Sequence, residues 1–250
     1  MLLGVEMSLL SRKKLCLVSH LIPEESAAQL SESFKVFRLP ADRYLPSPVA
    51  SHPDMLVCRI ENRLFVNKEY YAENRHLIDE ITEYGKLEVC TDNTEAEKRS
   101  KYPYDATLNI AVDDCRKLII CKPESSFEIA VAYAKDSGFS VIPVKQGYSA
   151  CSCIITDSGI ITSDPGIASV LRDTGVNCCL VPNSDIRLKG YDMGLIGGCG
   201  GYESGIIYLL GSLNGLESET AIKSFAHHYG YIIKELSERP LEDYGGIKFI

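Results

Sequence analysis

One glycine setting recurs along this chain and restricts what it can fold into. Gly85, Gly138, Gly175 and Gly230 each close an amphipathic stretch and each precede an apolar run, at 86–90, 139–144, 176–181 and 231–236. A glycine after a helix supplies the left-handed residue that other side chains adopt only at a steric cost. The pattern therefore reads helix, stop, strand, four times over. Two of the helices also carry start signals. Ser125-Ser126-Phe127-Glu128 predicts a capping box, and Asp164-Pro165 an N-cap followed by proline at the first helical position. Ahead of each helix two apolar runs flank a polar turn, at 55–60 with 64–67, 107–112 with 117–121, 151–156 with 159–162, and 194–198 with 205–210. Each pair is a hairpin signal.

With turn centres near Glu61, Asp114, Asp157 and Tyr202, successive units lie 53, 43 and 45 residues apart. That is the period of a repeat architecture. The N-terminal unit begins mid-motif, as a strand over 14–18, a helix over 24–33 and a strand over 35–39, without the first arm of its hairpin. Residues 244–250 supply a matching arm. Pairing the last strand with the first closes a ring and removes the open edges of an unclosed array. The expected fold is α/β: one domain spanning 1–250, a five-bladed α/β propeller of hairpin–helix–strand units closed by its N- and C-terminal strands. A doubly wound parallel sheet also alternates strands and helices, but here the strands come as hairpin pairs plus a return strand. The polar segment 92–101 reads as a surface loop.

Charge and cysteine usage bound the function. Lys plus Arg is 26 against 34 Asp plus Glu, a net charge of −8, so no basic stripe is expected to neutralise nucleic-acid phosphates or anionic lipid. Ten cysteines in 250 residues are irregularly spaced. Cys16, Cys58, Cys90, Cys121, Cys178 and Cys179 sit inside apolar strand patterns, where free cysteine behaves as a small hydrophobe; reduced thiols in a cytoplasmic protein follow. The apolar stretch 1–10 is short and lacks the flanks of a signal peptide. No apolar run reaches the ~18 residues of a membrane span.

Several segments carry a resemblance. Ser51-His52-Pro53-Asp54-Met55, Lys145-Gln146-Gly147-Tyr148-Ser149, Gly194-Leu195-Ile196-Gly197-Gly198 and Leu241-Glu242-Asp243-Tyr244-Gly245-Gly246-Ile247 resemble an uncharacterised bacterial family of clostridia and other Firmicutes. That family is assigned the guanidino-group-modifying, or pentein, fold, and the likeness runs from about residue 14 to the end. In pentein hydrolases and transferases the resemblance implies an axial pocket with carboxylates from early units, a histidine from a later unit and a cysteine nucleophile from the C-terminal strand. Asp54 matches the early carboxylate. Residues 192–194 hold no histidine and residues 248–249 no cysteine, so the usual Cys/His catalytic pair is not expected. A ribosome-binding branch of the fold implies that such rings also work without catalysis.

In a ring of this kind the first arm of each hairpin lines the axis, and the residues that begin those arms face one mouth. They include His52 and Asp54, Tyr104 and Asp105, Lys145, Tyr148 and Cys151, and Tyr191 and Asp192. Carboxylates there suit a guanidinium or ammonium, while Lys145 suits an acid group. The bland alternative makes Asp54 and Asp105 turn or cap residues and His52 a donor to a carbonyl. Cys151 and Cys153, two apart in a strand, share a face. As metal ligands they need two more partners and no histidine is near in sequence, so neither metal nor cofactor is expected. The run Gly197-Gly198-Cys199-Gly200-Gly201 precedes a strand and not a helix, which argues against a phosphate loop; backbone crowding at the axis accounts for it and would leave Cys199 exposed there.

The function expected from the sequence is binding of a small polar molecule (an amine, guanidine or amino acid) at Asp54, Asp105, Lys145, Tyr148 and Asp192. One alternative is a C–N bond hydrolase with Cys151 or Cys199 as nucleophile and His52 or Asp54 as proton acceptor. Another is a non-catalytic interaction protein with a plugged axis. The oligomeric state stays open.

Overall fold

The computed structural model describes residues 12–91 and 96–250; the expectation for 1–10 and part of that for 92–101 lie outside them. In chain order the elements are β1 Leu15–Ser19, α1 Glu24–Ser33, β2 Lys35–Leu39, α2 Pro53–Leu56, β3 Val57–Ile60, β4 Arg63–Val66, α3 Lys68–Glu73, α4 Arg75–Gly85 and β5 Glu88–Thr91. They continue with β6 Ala111–Asp113, β7 Leu118–Cys121, α5 Glu128–Asp136, β8 Ser140–Pro143, β9 Cys153–Thr156, β10 Gly159–Thr162, α6 Pro165–Asp173 and β11 Cys178–Leu180. Last come β12 Gly200–Glu203, β13 Ile206–Leu209, α7 Glu219–Tyr229, β14 Ile232–Glu235 and β15 Lys248–Phe249.

Five three-stranded sheets result, each an antiparallel hairpin plus a parallel return strand. Four are local. The fifth is assembled from both ends of the ring, with β15 antiparallel to β1 in the register Cys16↔Phe249 and Leu17↔Lys248. Leu15 and Ile250 exchange both backbone hydrogen bonds, at 3.1 and 2.9 Å. The five-bladed ring expected from the repeat is the observed fold.

The middle strand of each sheet explains why the sheets need one another. Along β1, Leu15 and Leu17 pack with Met55, Leu64 and Val66 of the second blade. Cys16 and Val18 point the other way, against Tyr208 and Leu210 of the fifth. The alternation repeats: Phe65 meets Ile119 and Phe127, Ile120 meets Ile160, and Ile161 meets Ile207 and Leu209. One apolar cluster thus fills each of the five seams. A strand covered on both faces has no polar side to show, which is why these strands read as continuous apolar runs.

Local signals differ in detail. Asp164 caps α6 as expected, accepting from the Ile167 amide at 2.7 Å, and Gly138, Gly175 and Gly230 have positive φ. At α4 the helix runs through Gly85 and Lys86 takes the left-handed position at φ 55°. The capping box at 125–128 does not form. Ser125 and Ser126 donate back to the Lys122 carbonyl and Phe127 stands at the N-cap. The segment 92–101 is not simply a surface loop either: Ala96–Ser100 form a 3-10 turn that buries Arg99 against Asp42. All ten cysteines are free.

Leu17 is fully buried in the seam beside the closing strand. Leu17→Ala is expected to cost about 2–5 kcal/mol, read as a melting temperature roughly 5–15 °C lower. Trimming residues 247–250 should cost more, because it opens the edge of β1 as well. A trimmed chain as stable as the intact one would contradict ring closure.

Candidate functional site

First arms β15, β3, β6, β9 and β12 surround an axial cavity of about 470 Å³. It opens between the hairpin turns, where Asp114, Asp157 and Ser204 line it, and it reaches inward to Asp54. This is the opposite end from the expected mouth. Of the predicted ligand-binding residues only Asp54 lines the cavity; Asp105, Lys145, Tyr148 and Asp192 do not. The sequence gives strand direction but does not say which end of the ring the side chains fill.

The innermost end is a compact polar cluster. Asp54 sits in the first turn of the four-residue helix α2, immediately after Pro53 at N1 and His52 at the N-cap. Both side chains are buried, and neither Asp54 oxygen nor His52 Nδ1 has a well-formed hydrogen bond; of hydrogen-bond donors, only the Cys151 thiol and the residue's own amide act, weakly, on the Asp54 carboxyl. Cys151 approaches from the turn before β9, and its Sγ accepts from Asn109 Nδ2 at 3.0 Å. Asn109 Oδ1 in turn accepts the Ala150 and Cys151 amides at 2.7 and 3.1 Å, so a single side chain fixes the thiol's loop. Because Cys151 precedes the strand, it does not share a face with Cys153, whose thiol donates to Thr162 Oγ1 in the neighbouring blade seam.

Asp243 and Lys248 complete the cluster from the closing segment. Asp243 accepts from the amides of Leu195 (2.9 Å) and Gly245 (3.0 Å), and its Oδ1 lies 3.6 Å from His52 Nδ1. A side chain at Gly198 would overlap the Asp243 carboxylate, and one at Gly245 would overlap His52. Gly245 and Gly246 also take positive φ, 79° and 77°, so the chain can turn beneath His52 before β15 begins. Lys248 lines the cavity, and its positive charge acts on both Asp54 and Asp243.

Burial dominates the electrostatics. It pushes the Asp54 carboxyl up to about 6 against the opposing pull of Lys248. Burial and the Asp54 charge push Asp243 up to about 7. Burial also pushes His52 down to about 4, leaving the imidazole neutral near pH 7. The Cys151 thiol is raised well above its ordinary value by burial and then by the two carboxylates. His52 and Asp54 lie close enough to take a proton from this thiol, but burial and the negative charges beside it disfavour the thiolate that a nucleophile requires.

The remaining candidates lie elsewhere. Tyr148 donates to Asp105 Oδ2 at 2.7 Å, and Asp105 Oδ1 is buried without a partner. Lys145 and Asp192 are exposed, the latter in a surface hollow with Asp185 and Arg187. Cys199 is not exposed at the axis. A 3-10 turn over Ile196–Cys199 rotates it into the blade core, where it is fully buried and its thiol donates to the Leu195 carbonyl at 3.4 Å. The glycines around it do crowd the axis: a side chain at Gly197 would strike the backbone of residues 150–153, and one at Gly201 the Ile247 carbonyl. Asn109, Asp243 and Lys248 were not among the residues predicted for the site.

A family model described as "Family of unknown function (DUF6873)" matches residues 17–248. No curated protein matches the sequence. Among solved structures, a dimethylarginine dimethylaminohydrolase variant bearing an S-methyl-L-thiocitrulline adduct is 12% identical, with a TM-score of 0.55 over 90% of this chain and 92% of that one. An arginine dihydrolase from the ornithine–ammonia cycle of cyanobacteria is 10% identical, with a TM-score of 0.55 over 90% of this chain but 36% of its own. An amidinotransferase of the saxitoxin biosynthetic pathway of Microseira wollei is 10% identical, with a TM-score of 0.51 over 85% and 73%. The shared architecture is the pentein fold. No helix among the described residues is long and apolar enough to cross a membrane.

An Asp whose pKa is raised on folding destabilises the native state once it ionises. For Asp54 the cost is absent well below pH 4 and full above about pH 6, the interval between its ordinary and folded values. Asp54→Asn is therefore expected to stabilise the protein at pH 8 by about 1–3 kcal/mol and to change little at pH 4. Thermal melts at the two pH values test this; an Asn variant that melts lower at pH 8 would contradict it.

Proposed function

The chain belongs to that family of unknown function, so its activity has to be argued from the site, and we propose that the axial cavity binds a small organic cation bearing a guanidino or amino group, anchored on Asp54. One observation carries the reading: a buried carboxylate at the inner end of the cavity has two oxygens without a well-formed hydrogen bond and no cation paired to it among the described residues. Buried carboxylates are normally paired or hydrogen-bonded. A guanidinium offers two parallel N–H donors that match two carboxylate oxygens. Asp243 adds a second acid nearby against the single charge of Lys248, and the resulting excess of negative potential favours a cation.

Size and surroundings agree. A cavity of about 470 Å³ lies within the range of small-molecule sites. The amino-acid-sized ligand also fits the naming of the fold relatives for dimethylarginine and arginine. Binding without hydrolysis is the better-supported form, because burial, and after it the charges of Asp54 and Asp243, keep the only thiol in the cluster protonated. The plugged axis of a pure interaction protein is not supported by a cavity of this depth.

Calorimetric titration of the chelator-treated protein with agmatine, arginine and putrescine tests the reading. At least one should bind at pH 7.5, and Asp54→Asn should weaken it about tenfold or more, the value of a lost charge-assisted hydrogen bond. Affinity should fall as pH drops through about 6, where the anchor takes up its proton. Equal binding by wild type and Asp54→Asn would refute the assignment.

A further inference from the structure

We propose that His52, Asp54 and Cys151 together form a binding site for a divalent transition-metal ion of the zinc type. Among the described residues these three bring one ligand atom each, an imidazole nitrogen, a carboxylate oxygen and a sulfur, to within 4.8 Å of one another. All three are buried, with exposures of 3%, 1% and 4%. Two independent features point to a ligand at their centre. First, His52 Nδ1 and both Asp54 oxygens have no well-formed hydrogen bond. Buried polar atoms without partners are rare, and the two residues that carry these three both belong to the cluster. Second, the donor set is chemically selective: nitrogen and sulfur donors suit zinc, cobalt or copper and do not suit magnesium or calcium, which take oxygen.

The local chain geometry holds the donors in place. His52 and Asp54 flank Pro53, whose ring fixes the backbone at the start of α2. Cys151 is held from the far side by Asn109, which clamps its loop through two amides and donates to its sulfur. A hydrogen bond to a ligating sulfur is the kind of outer contact that orients a metal thiolate. Asp243 stands close to His52, but both of its oxygens already accept backbone amides. The site therefore offers three protein ligands and a fourth position for water or a group on a bound molecule, the arrangement of open zinc sites. Asp54 borders the axial cavity, which gives the ion its route in. On binding, the Cys151 thiol gives its proton to solvent and the sulfur bonds to the metal, with no change of oxidation state.

Asp54 serves both this site and the organic cation, so the two are measured apart, the cation in chelator and the metal without organic ligand. Metal-free, reduced full-length protein is titrated with Co²⁺, which reports thiolate ligation by a sulfur-to-cobalt charge-transfer band in the near ultraviolet. One equivalent should produce the band and Zn²⁺ should remove it. Cys151→Ser should abolish it, whereas Cys153→Ser should retain it. His52→Gln should weaken Co²⁺ binding about tenfold or more. No band in the wild type, or an undiminished band in Cys151→Ser, would overturn the proposal. Should Cys151→Ser fail to fold, unchanged affinity in His52→Gln overturns it equally. A failed metal titration beside a successful cation titration leaves the cation reading standing, and the converse result separates them the other way.

Discussion

Every blade of this ring is built around a strand with no solvent face. Burying one Leu or Ile side chain contributes about 1.5–3 kcal/mol, while fixing each residue's backbone costs about 1–2 kcal/mol. A blade alone would bury its middle strand on one side and could not offset that cost. With a neighbour on each side, successive residues such as Leu15 and Cys16, or Phe65 and Val66, are all covered. The number of seams must equal the number of blades, which is possible only in a closed circle. That requirement makes the two-residue strand β15 structurally decisive despite its length.

Closing the circle also creates the polar centre. Five first arms converge on one axis, and glycines at 197, 198 and 201 allow backbone where a side chain would collide. The segment that completes the ring carries Asp243 and Lys248 into the same space as Asp54. The two acids are thus desolvated by a packing constraint, which raises both of their pKa values. Asp243 is tied by two backbone amides and has a structural task; Asp54 has no hydrogen bond of that quality. This difference between two neighbouring carboxylates separates a residue that builds the site from one that waits for a ligand.

Much of the fold was legible in the sequence because its signals are local and repeated. The helix 24–33 and the strand 35–39 coincide with α1 and β2, and Asp164-Pro165 capped α6 as its chemistry requires. The missing first arm of the opening unit led directly to the pairing of residues 248–249 with 16–17. Where the reading failed, a tertiary contact overrode a local rule. Lys86 took the left-handed position that Gly85 was expected to fill, and Ser125 and Ser126 bonded backward rather than capping α5. The glycines around Cys199 suggest exposure at the axis, yet it lies in a 3-10 turn that points it into the core. The site was only half visible. His52 and Asp54 stand together in sequence, but Asn109, Cys151 and Asp243 come from three other units. The repeat spacing sets Cys151 beside His52 and Asp54, and the three do meet; Asn109 and Asp243 join them through tertiary contacts that no local signal marks.

The split blade has one more implication. Joining residues 15 and 250 means closing a loop of more than two hundred residues. Loop entropy grows only with the logarithm of length, so this costs roughly 3–4 kcal/mol more than a tight hairpin. The circle therefore has no privileged starting point. A chain rewired to begin in an exposed turn between other blades, with its present ends tethered, describes the same object; the order in which the blades are written is a matter of descent, not of mechanics.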